Sequence, residues 1–291
     1  MRQKFRGSVP GTRWRYPRPR ADGNLNLSTD FNFDRPHATH LVETRQALLR
    51  EILPACVQAQ GLRTVLDAGC GVGYFSAFLR DMGFEVSAFD ARSQNIEEAR
   101  RRHPGIRFNI ADMEDPALQK LGQFDLVLCF GLVYHLENPM RAFRNLRALT
   151  GKLLLVESVA IPEQKPALYL RDEPEIEDQG VHSFAAYPSE GALHKMAYRS
   201  GFPYVARFAS LPDHEDFRSA FGRRRFRTML AASMTPLGAP HFVPVEEPHN
   251  PPDPWMTDPT GVTKMFRRFG KFMEKPWQEK LTAMWRRYGP G

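Results

Sequence analysis

Acidic residues are missing from the start of this chain and scarce at its end. Arg2, Lys4, Arg6, Arg13, Arg15, Arg18 and Arg20 meet no Asp or Glu in the first twenty residues. Lys264, Arg267, Arg268, Lys271, Lys275, Lys280, Arg286 and Arg287 face only Glu274 and Glu279 in the last thirty. The formal charge is +7. Basic ends suit RNA, an anionic membrane surface or simply water. Cysteine is also scarce. Cys56, Cys70 and Cys129 lack the CxxC and zinc-ligand spacings, so reduced thiols and a cytoplasmic setting are expected. No apolar run reaches the roughly 18–20 residues that span a bilayer, which argues against a transmembrane segment. No apolar segment follows the N-terminal arginines, which argues against a secretory signal. Pro10, Pro17 and Pro19 disfavour the amphipathic helix of a transit peptide.

The segment from Thr64 to Phe75 organises what is present. Val65 and Leu66 read as a buried strand, Gly69, Gly71 and Gly73 as a turn, and Phe75, Phe78, Leu79 and Met82 as one face of a helix. A strand–glycine loop–helix unit holds nucleotide-like ligands at the strand ends of a parallel sheet. Two ligands are disfavoured. The loop has no lysine, so it is not a P-loop. Tyr74 stands where a dinucleotide loop needs a small residue.

What remains is an acid ahead of the glycines, Asp67, giving Asp-x-Gly-x-Gly-x-Gly. This resembles the first motif of the class I S-adenosylmethionine (SAM) dependent methyltransferases. A carboxylate suits a ligand with an α-ammonium and a sulfonium. The bland alternative is a tight structural turn.

Alternating strands and helices continue through residue 158. The strands are near-continuously apolar, which predicts an α/β fold with a parallel sheet buried on both faces. Two later strand-like runs, 204–209 and 224–231, resemble the antiparallel pair that closes the methyltransferase sheet. The resemblance implies a doubly wound, mostly parallel seven-stranded sheet of order 3-2-1-4-5-7-6 with helices on both faces, and a helical C-terminal extension. The expected organisation is a basic arm at 1–36 and a methyltransferase domain at 37–233. Within the domain lies a Pro- and acid-rich substrate-cover insertion at 160–188. A Pro-rich linker at 234–260 and a basic amphipathic tail at 261–291 follow. In the tail, Met265, Phe266, Phe269 and Phe272, then Trp277, Leu281, Met284 and Trp285, recur at helical spacing. Pro54 predicts a kink or break near the end of the first helix, and Gly151 a glycine cap after the helix at 138–149.

Asp90 ends the second strand, where an acid accepts ribose hydroxyls. The resemblance implies that Asp67, Gly69, Cys70, Gly71, Gly73, Asp90, Ala91, Asp112, Met113 and Phe130 bind SAM. Within that set, Asp112 would receive the adenine amino group; a plain turn aspartate is the alternative. No metal is expected: no constellation of acids suits a catechol-type metal site. No Asn-Pro-Pro-Tyr motif follows strand four, which disfavours amine methylation of that type.

The run Phe130-Gly131-Leu132-Val133-Tyr134-His135 lies at the carboxyl end of strand four. It is similar to sugar, small-molecule and wobble-uridine tRNA modifying members of the superfamily. Tyr134 and His135 are the candidate catalytic residues. His135 reads as a general base, because an imidazole titrates near neutrality, or as a packing residue. His182 and His194, outside this motif, read as alternative bases or as surface histidines. The reading reached is methyl transfer to a small-molecule or glycan acceptor, through oxygen. The alternatives are a tRNA-modifying methyl- or carboxymethyltransferase and a non-catalytic SAM-binding module. A cytoplasmic location is expected, with peripheral membrane contact through the basic ends as a further option. Oligomeric state is not assigned.

Overall fold

The computed structural model describes residues 31–163, 165–218, 226–238 and 240–249. The arm up to residue 30 and the expected helices of the tail lie outside the described residues, so the RNA and membrane readings of those ends do too.

The first helix, α1 (Pro36–Gln60), starts with proline at its first turn and ends at Gly61 in the left-handed region, φ 63°. Its buried stripe is Leu41, Arg45, Leu48, Leu49, Ile52, Leu53 and Cys56. The expected break at Pro54 does not occur. Pro54 lies on the exposed face, where water can satisfy the carbonyl that its missing N–H leaves unpaired.

Among the described residues the sheet has eight strands. They are β1 (Thr64–Ala68), β2 (Glu85–Asp90), β3 (Arg107–Ile110), β4 (Phe124–Phe130), β5 (Thr150–Ala160), β8 (Tyr204–Phe208), β9 (Phe226–Ser233) and β10 (Phe242–Pro244). Their order is β10-β8-β9-β5-β4-β1-β2-β3. Strands β1 to β5 are parallel, whereas β9 runs antiparallel to both β5 and β8. Strand β10 corrects the seven-stranded expectation and the assignment of 234–260 to a linker. It pairs antiparallel with β8 and packs Phe242 edge-on against Phe208. A proline-rich stretch can take this place because an edge strand tolerates missing donors.

Helices α2 (Tyr74–Asp81), α3 (Ser93–Arg102), α4 (Pro139–Leu149) and α5 (Glu190–Arg199) join α1 around the sheet. Period-two alternation sends side chains to two cores. Val65, Leu126, Leu128, Leu153 and Leu155 pack with Leu49, Ile52, Phe78 and Leu79. Leu66, Val127, Cys129, Leu154 and Val156 pack with Phe143, Leu146, Leu193 and Phe202. Each such aliphatic side chain contributes about 1.5–3 kcal/mol on burial. Helix α4 ends on extended Thr150, whose Oγ1 donates to the Leu146 carbonyl at 2.7 Å. Gly151 therefore belongs to β5 and is no cap.

The insertion carries its own hairpin, β6 (Leu168–Asp172) with β7 (Phe184–Pro188), in the register Tyr169 to Tyr187. The hairpin docks on the turn after β4, where the Ala186 N–H donates to the Leu136 carbonyl at 2.9 Å. Residues 173–183 between its strands form a strap over the carboxyl ends of the parallel strands.

Candidate active site

The glycine loop wraps the end of β2. The N–H groups of Gly69 and Cys70 both donate to the Phe89 carbonyl at 2.9 Å. The Gly71 N–H donates to Asp90 Oδ2 at 3.0 Å. Gly71 has φ 53°, and a Cβ there would lie 2.9 Å from the Phe33 ring, so only glycine fits. Asp90 Oδ1 accepts from the Arg92 N–H at 2.9 Å and from Asn95 Nδ2 at 3.2 Å. Burial pushes the Asp90 carboxyl up, and these bonds oppose the rise.

A cavity of about 830 Å³ opens beside this loop. Gly69, Cys70, Gly71, Asp90, Ala91, Asp112, Met113, Phe130, Tyr134 and His135 all line it. Two expected residues do not. Asp67 is buried behind the loop and accepts from Ser76 Oγ at 2.6 Å, which ties β1 to α2. Burial raises its carboxyl to about 7. Gly73 faces His103 and Phe108 and makes room for packing.

Tyr74 has a structural task. Its hydroxyl donates to Asp34 Oδ1, and Arg102 grips both oxygens of Asp34 at 2.7 Å. Arg102 holds the Asp34 carboxyl below its ordinary range. The residues just before α1 are thus pinned over the loop, where Asn32 and Phe33 line the cavity.

The strap is tied on several sides. Arg92 donates from Nε to the Gln179 carbonyl at 3.2 Å and from Nη2 to the Gly180 carbonyl at 2.9 Å. Asn95 Nδ2 donates to the Glu177 carbonyl at 3.1 Å, and the Asn32 N–H to Glu177 Oε1 at 2.7 Å. His182 Nε2 lies 3.1 Å from Asp112 Oδ2 and 4.0 Å from Glu114 Oε2. His182 therefore reaches the site from an exposed position, in keeping with the surface reading. His194 is corrected: it is buried in α5, and burial lowers its pKa.

At the other end stand Tyr134 and His135, their ring centroids 4.0 Å apart. His135 Nδ1 lies 2.8 Å from Glu173 Oε2. Glu173 is buried and also accepts from the Gly180 N–H at 3.0 Å and the Tyr187 hydroxyl at 3.2 Å. Burial pushes its carboxyl up, but the His135 bond and charge, with the other two donors, outweigh this and hold it below the ordinary range. Nδ1 is the ring nitrogen that this contact engages.

Three further residues were missed in sequence. Glu157 of β5 accepts from Arg45 Nη1 at 2.9 Å and from Arg227 Nη1 at 2.8 Å. Arg227 Nη2 reaches the Tyr134 hydroxyl at 3.4 Å. The available signals were Arg45 inside an apolar helical stripe and Glu157 inside an apolar strand.

The wall near Asp90 is rich in acceptors: Asp90, Asp112, Glu177 and Asp178. That donor-seeking chemistry fits the ammonium, ribose hydroxyls and adenine amino group of SAM. The methyltransferase domain family matches residues 41–206, more than half of the chain. The chain belongs to this family. Methyltransferases of the family take their methyl group from SAM. One relative of this methyltransferase domain is a ubiquinone biosynthesis O-methyltransferase of Xanthomonas axonopodis pv. citri (strain 306). It is 32% identical over 36% of this chain and 46% of its own length. Another is a malonyl-[acyl-carrier protein] O-methyltransferase of Enterobacter lignolyticus (strain SCF1), 43% identical over 26% of this chain and 30% of its own. The first of these matches therefore spans less than half of the relative's length. The N-terminal domain of EvdMO1, solved with SAH bound, is similar in fold. It has a TM-score of 0.54 and 19% identity, over 66% of this chain and 80% of that one. Among the described residues no helix is long and apolar enough to cross a membrane.

Proposed function

We propose that the protein is an enzyme that transfers the methyl group of SAM to a hydroxyl oxygen of a small molecule, with His135 as general base. The observation that carries this is the 2.8 Å contact between His135 Nδ1 and the buried Glu173 carboxylate. A carboxylate on Nδ1 holds the proton there, leaves Nε2 as the acceptor, and stabilises the imidazolium that forms.

Asp90 would accept from the ribose hydroxyls, and Asp112, beside Met113, would receive the adenine amino group. Gly69, Cys70, Gly71, Ala91 and Phe130 would complete the cofactor's surroundings, since all of them line the cavity. Asp67 acts from behind, through Ser76 and the start of α2. Bound SAM would supply an electrophilic methyl group; the acceptor oxygen would bond to the methyl carbon as the carbon–sulfur bond breaks in line and SAH leaves as a neutral thioether. The chain's own contributions are alignment, a strap that excludes water, and removal of the hydroxyl proton by His135. Both named curated relatives are O-methyltransferases, which supports oxygen as the acceptor atom.

The test is SAH binding by calorimetry, together with SAH release from SAM in the presence of phenolic and aliphatic hydroxy compounds. Binding that His135→Gln retains, with turnover lost by about 10²-fold or more, is expected. Equal turnover by His135→Gln and wild type removes the base from the reading.

A further inference from the structure

Charge is divided along the cavity. Acids gather around Asp90, whereas Arg45, Arg171 and Arg227 gather around Tyr134 and Tyr187. Arg227 lies over the Tyr134 ring at 5.4 Å and Arg171 over the Tyr187 ring at 5.0 Å. Those two rings meet edge to face at 5.5 Å.

Within the arginine end, Glu157 is 0% exposed and gives one oxygen to each of two guanidiniums. The pair Arg45–Glu157 lies directly above the cavity residue Gly131. A Cβ built there would stand 3.7 Å from Arg45 Nη1 and 3.9 Å from Glu157 Oε2. A scaffold needing only a buried ion pair would match one arginine to one acid. Here two cations share the one fully buried carboxylate, so the charge of the second must be met by a group nearer water, because charge in a water-poor wall is costly unless it meets an opposite one. Asp216 answers part of it, accepting from Arg227 Nε at 3.3 Å. Its side chain is 29% exposed and it also faces His37 at 3.8 Å and His214 at 4.0 Å. Water screens it more than it screens Glu157. The neighbouring walls, from Phe226, Val159, Leu136 and Tyr187, suit an apolar or planar body.

From this geometry we propose that the acceptor is a hydroxy acid: its carboxylate sits on Arg45 and Arg227, apart from the hydroxyl presented to His135. Tyr134 separates the two subsites, because its ring lies against that of His135, tilted by 43°, and under Arg227. The arginines act as specificity-determining residues. They bind the anion and take no proton. The cationic cofactor and the anionic acceptor thereby meet walls of opposite sign. The assignment of the hydroxyl rests on the methyl-transfer reading; that of the carboxylate rests on the arginines alone.

The test uses 2-, 3- and 4-hydroxybenzoate, each paired with its neutral amide, and measures binding to the SAH-loaded full chain by calorimetry. At least one acid binds about tenfold tighter than its amide, as a charge-assisted contact requires. Arg227→Gln brings that ratio close to one, whereas His135→Gln keeps it. SAH binding by Arg227→Gln reports that the variant is folded; Arg227→Lys is the second variant, and it restores part of the ratio. Three results overturn the proposal: no acid preferred over its amide, no acid bound at all, or a preference that survives Arg227→Gln. If wild type fails to bind SAH, the methyl-transfer reading has failed instead, and the acid-to-amide ratio is read on the protein alone.

Discussion

His135 and Glu173 stand 38 residues apart in the chain and 2.8 Å apart in the fold. The hairpin β6–β7 makes this contact. It sets Glu173 at the end of β6, and β7 docks on the turn that carries His135. The proposed base and its partner thus come from different elements, the sheet and its insertion.

The dyad carries the first prediction. Glu173→Gln keeps the shape but removes the charge that favours the imidazolium, so turnover falls about 10²-fold while SAH binding stays within a fewfold. The folded carboxyl lies below its ordinary range. Its stabilising contribution is therefore present above the ordinary glutamate range and lost as pH falls through the folded value. Urea unfolding of wild type between pH 7 and pH 3 shows this acid loss, and Glu173→Gln shows less of it.

Asp67 has the opposite sign. Its carboxyl is raised to about 7 by burial, above the ordinary 3.8. Between those values the native state holds a proton that the unfolded chain does not, so stability falls as pH rises across that window. Asp67→Asn keeps an acceptor for Ser76 and removes the penalty. Its melting temperature is expected to exceed that of wild type at pH 8 by several degrees, and the difference to shrink at pH 4–5. Asp90 is also raised by burial, so some slope remains in the variant. A melting series from pH 4 to pH 8 checks it.

Asp90→Ala is expected to weaken SAH binding about 30- to 100-fold, the scale of losing hydrogen bonds to an ionised acceptor. It also strands the Gly71 and Arg92 N–H groups that now share this carboxylate. Calorimetry measures the affinity, and circular dichroism separates it from unfolding.

The glycine loop, Asp90 and the Tyr134–His135 turn were legible because each depends on residues adjacent in sequence. A strand end, a glycine turn and the acid of the next strand end leave local signatures. Glu173 left none: it sits in a run of acids from Asp172 to Asp178 whose composition reads as solvated. Only hairpin pairing turns that residue inward. Arg45 and Glu157 broke apolar patterns, but a single charge in such a pattern does not say which partner neutralises it. Phe242–Pro244 was hidden for a different reason: proline-rich composition normally marks a linker, and an edge strand is the exception.

Arg92 fastens the strap at two carbonyls, so Arg92→Ala is expected to loosen residues 173–183 with little change in global stability. Limited proteolysis cuts the variant faster in that segment. Saturating SAH is expected to slow the cut in wild type more than in the variant, because Arg92 binds the strap through its side chain and the proposed ribose acceptor Asp90 through its N–H.

Glu157 supplies the sharpest contrast between neighbouring acids. Burial pushes its carboxyl up, but the charges of Arg227 and Arg45 outweigh that and hold it below the ordinary range. Glu157→Gln removes the charge and leaves two guanidiniums facing each other in a wall with little water. The expected loss is about 3–5 kcal/mol, the scale for breaking a buried ionic cluster on one side only. Adding Arg45→Met to Glu157→Gln removes one of the stranded cations and fills its space with an apolar chain. That double variant is expected to recover part of the loss. Urea denaturation of the two variants decides it: a double variant no more stable than Glu157→Gln means that repulsion between the arginines is not what the carboxylate relieves.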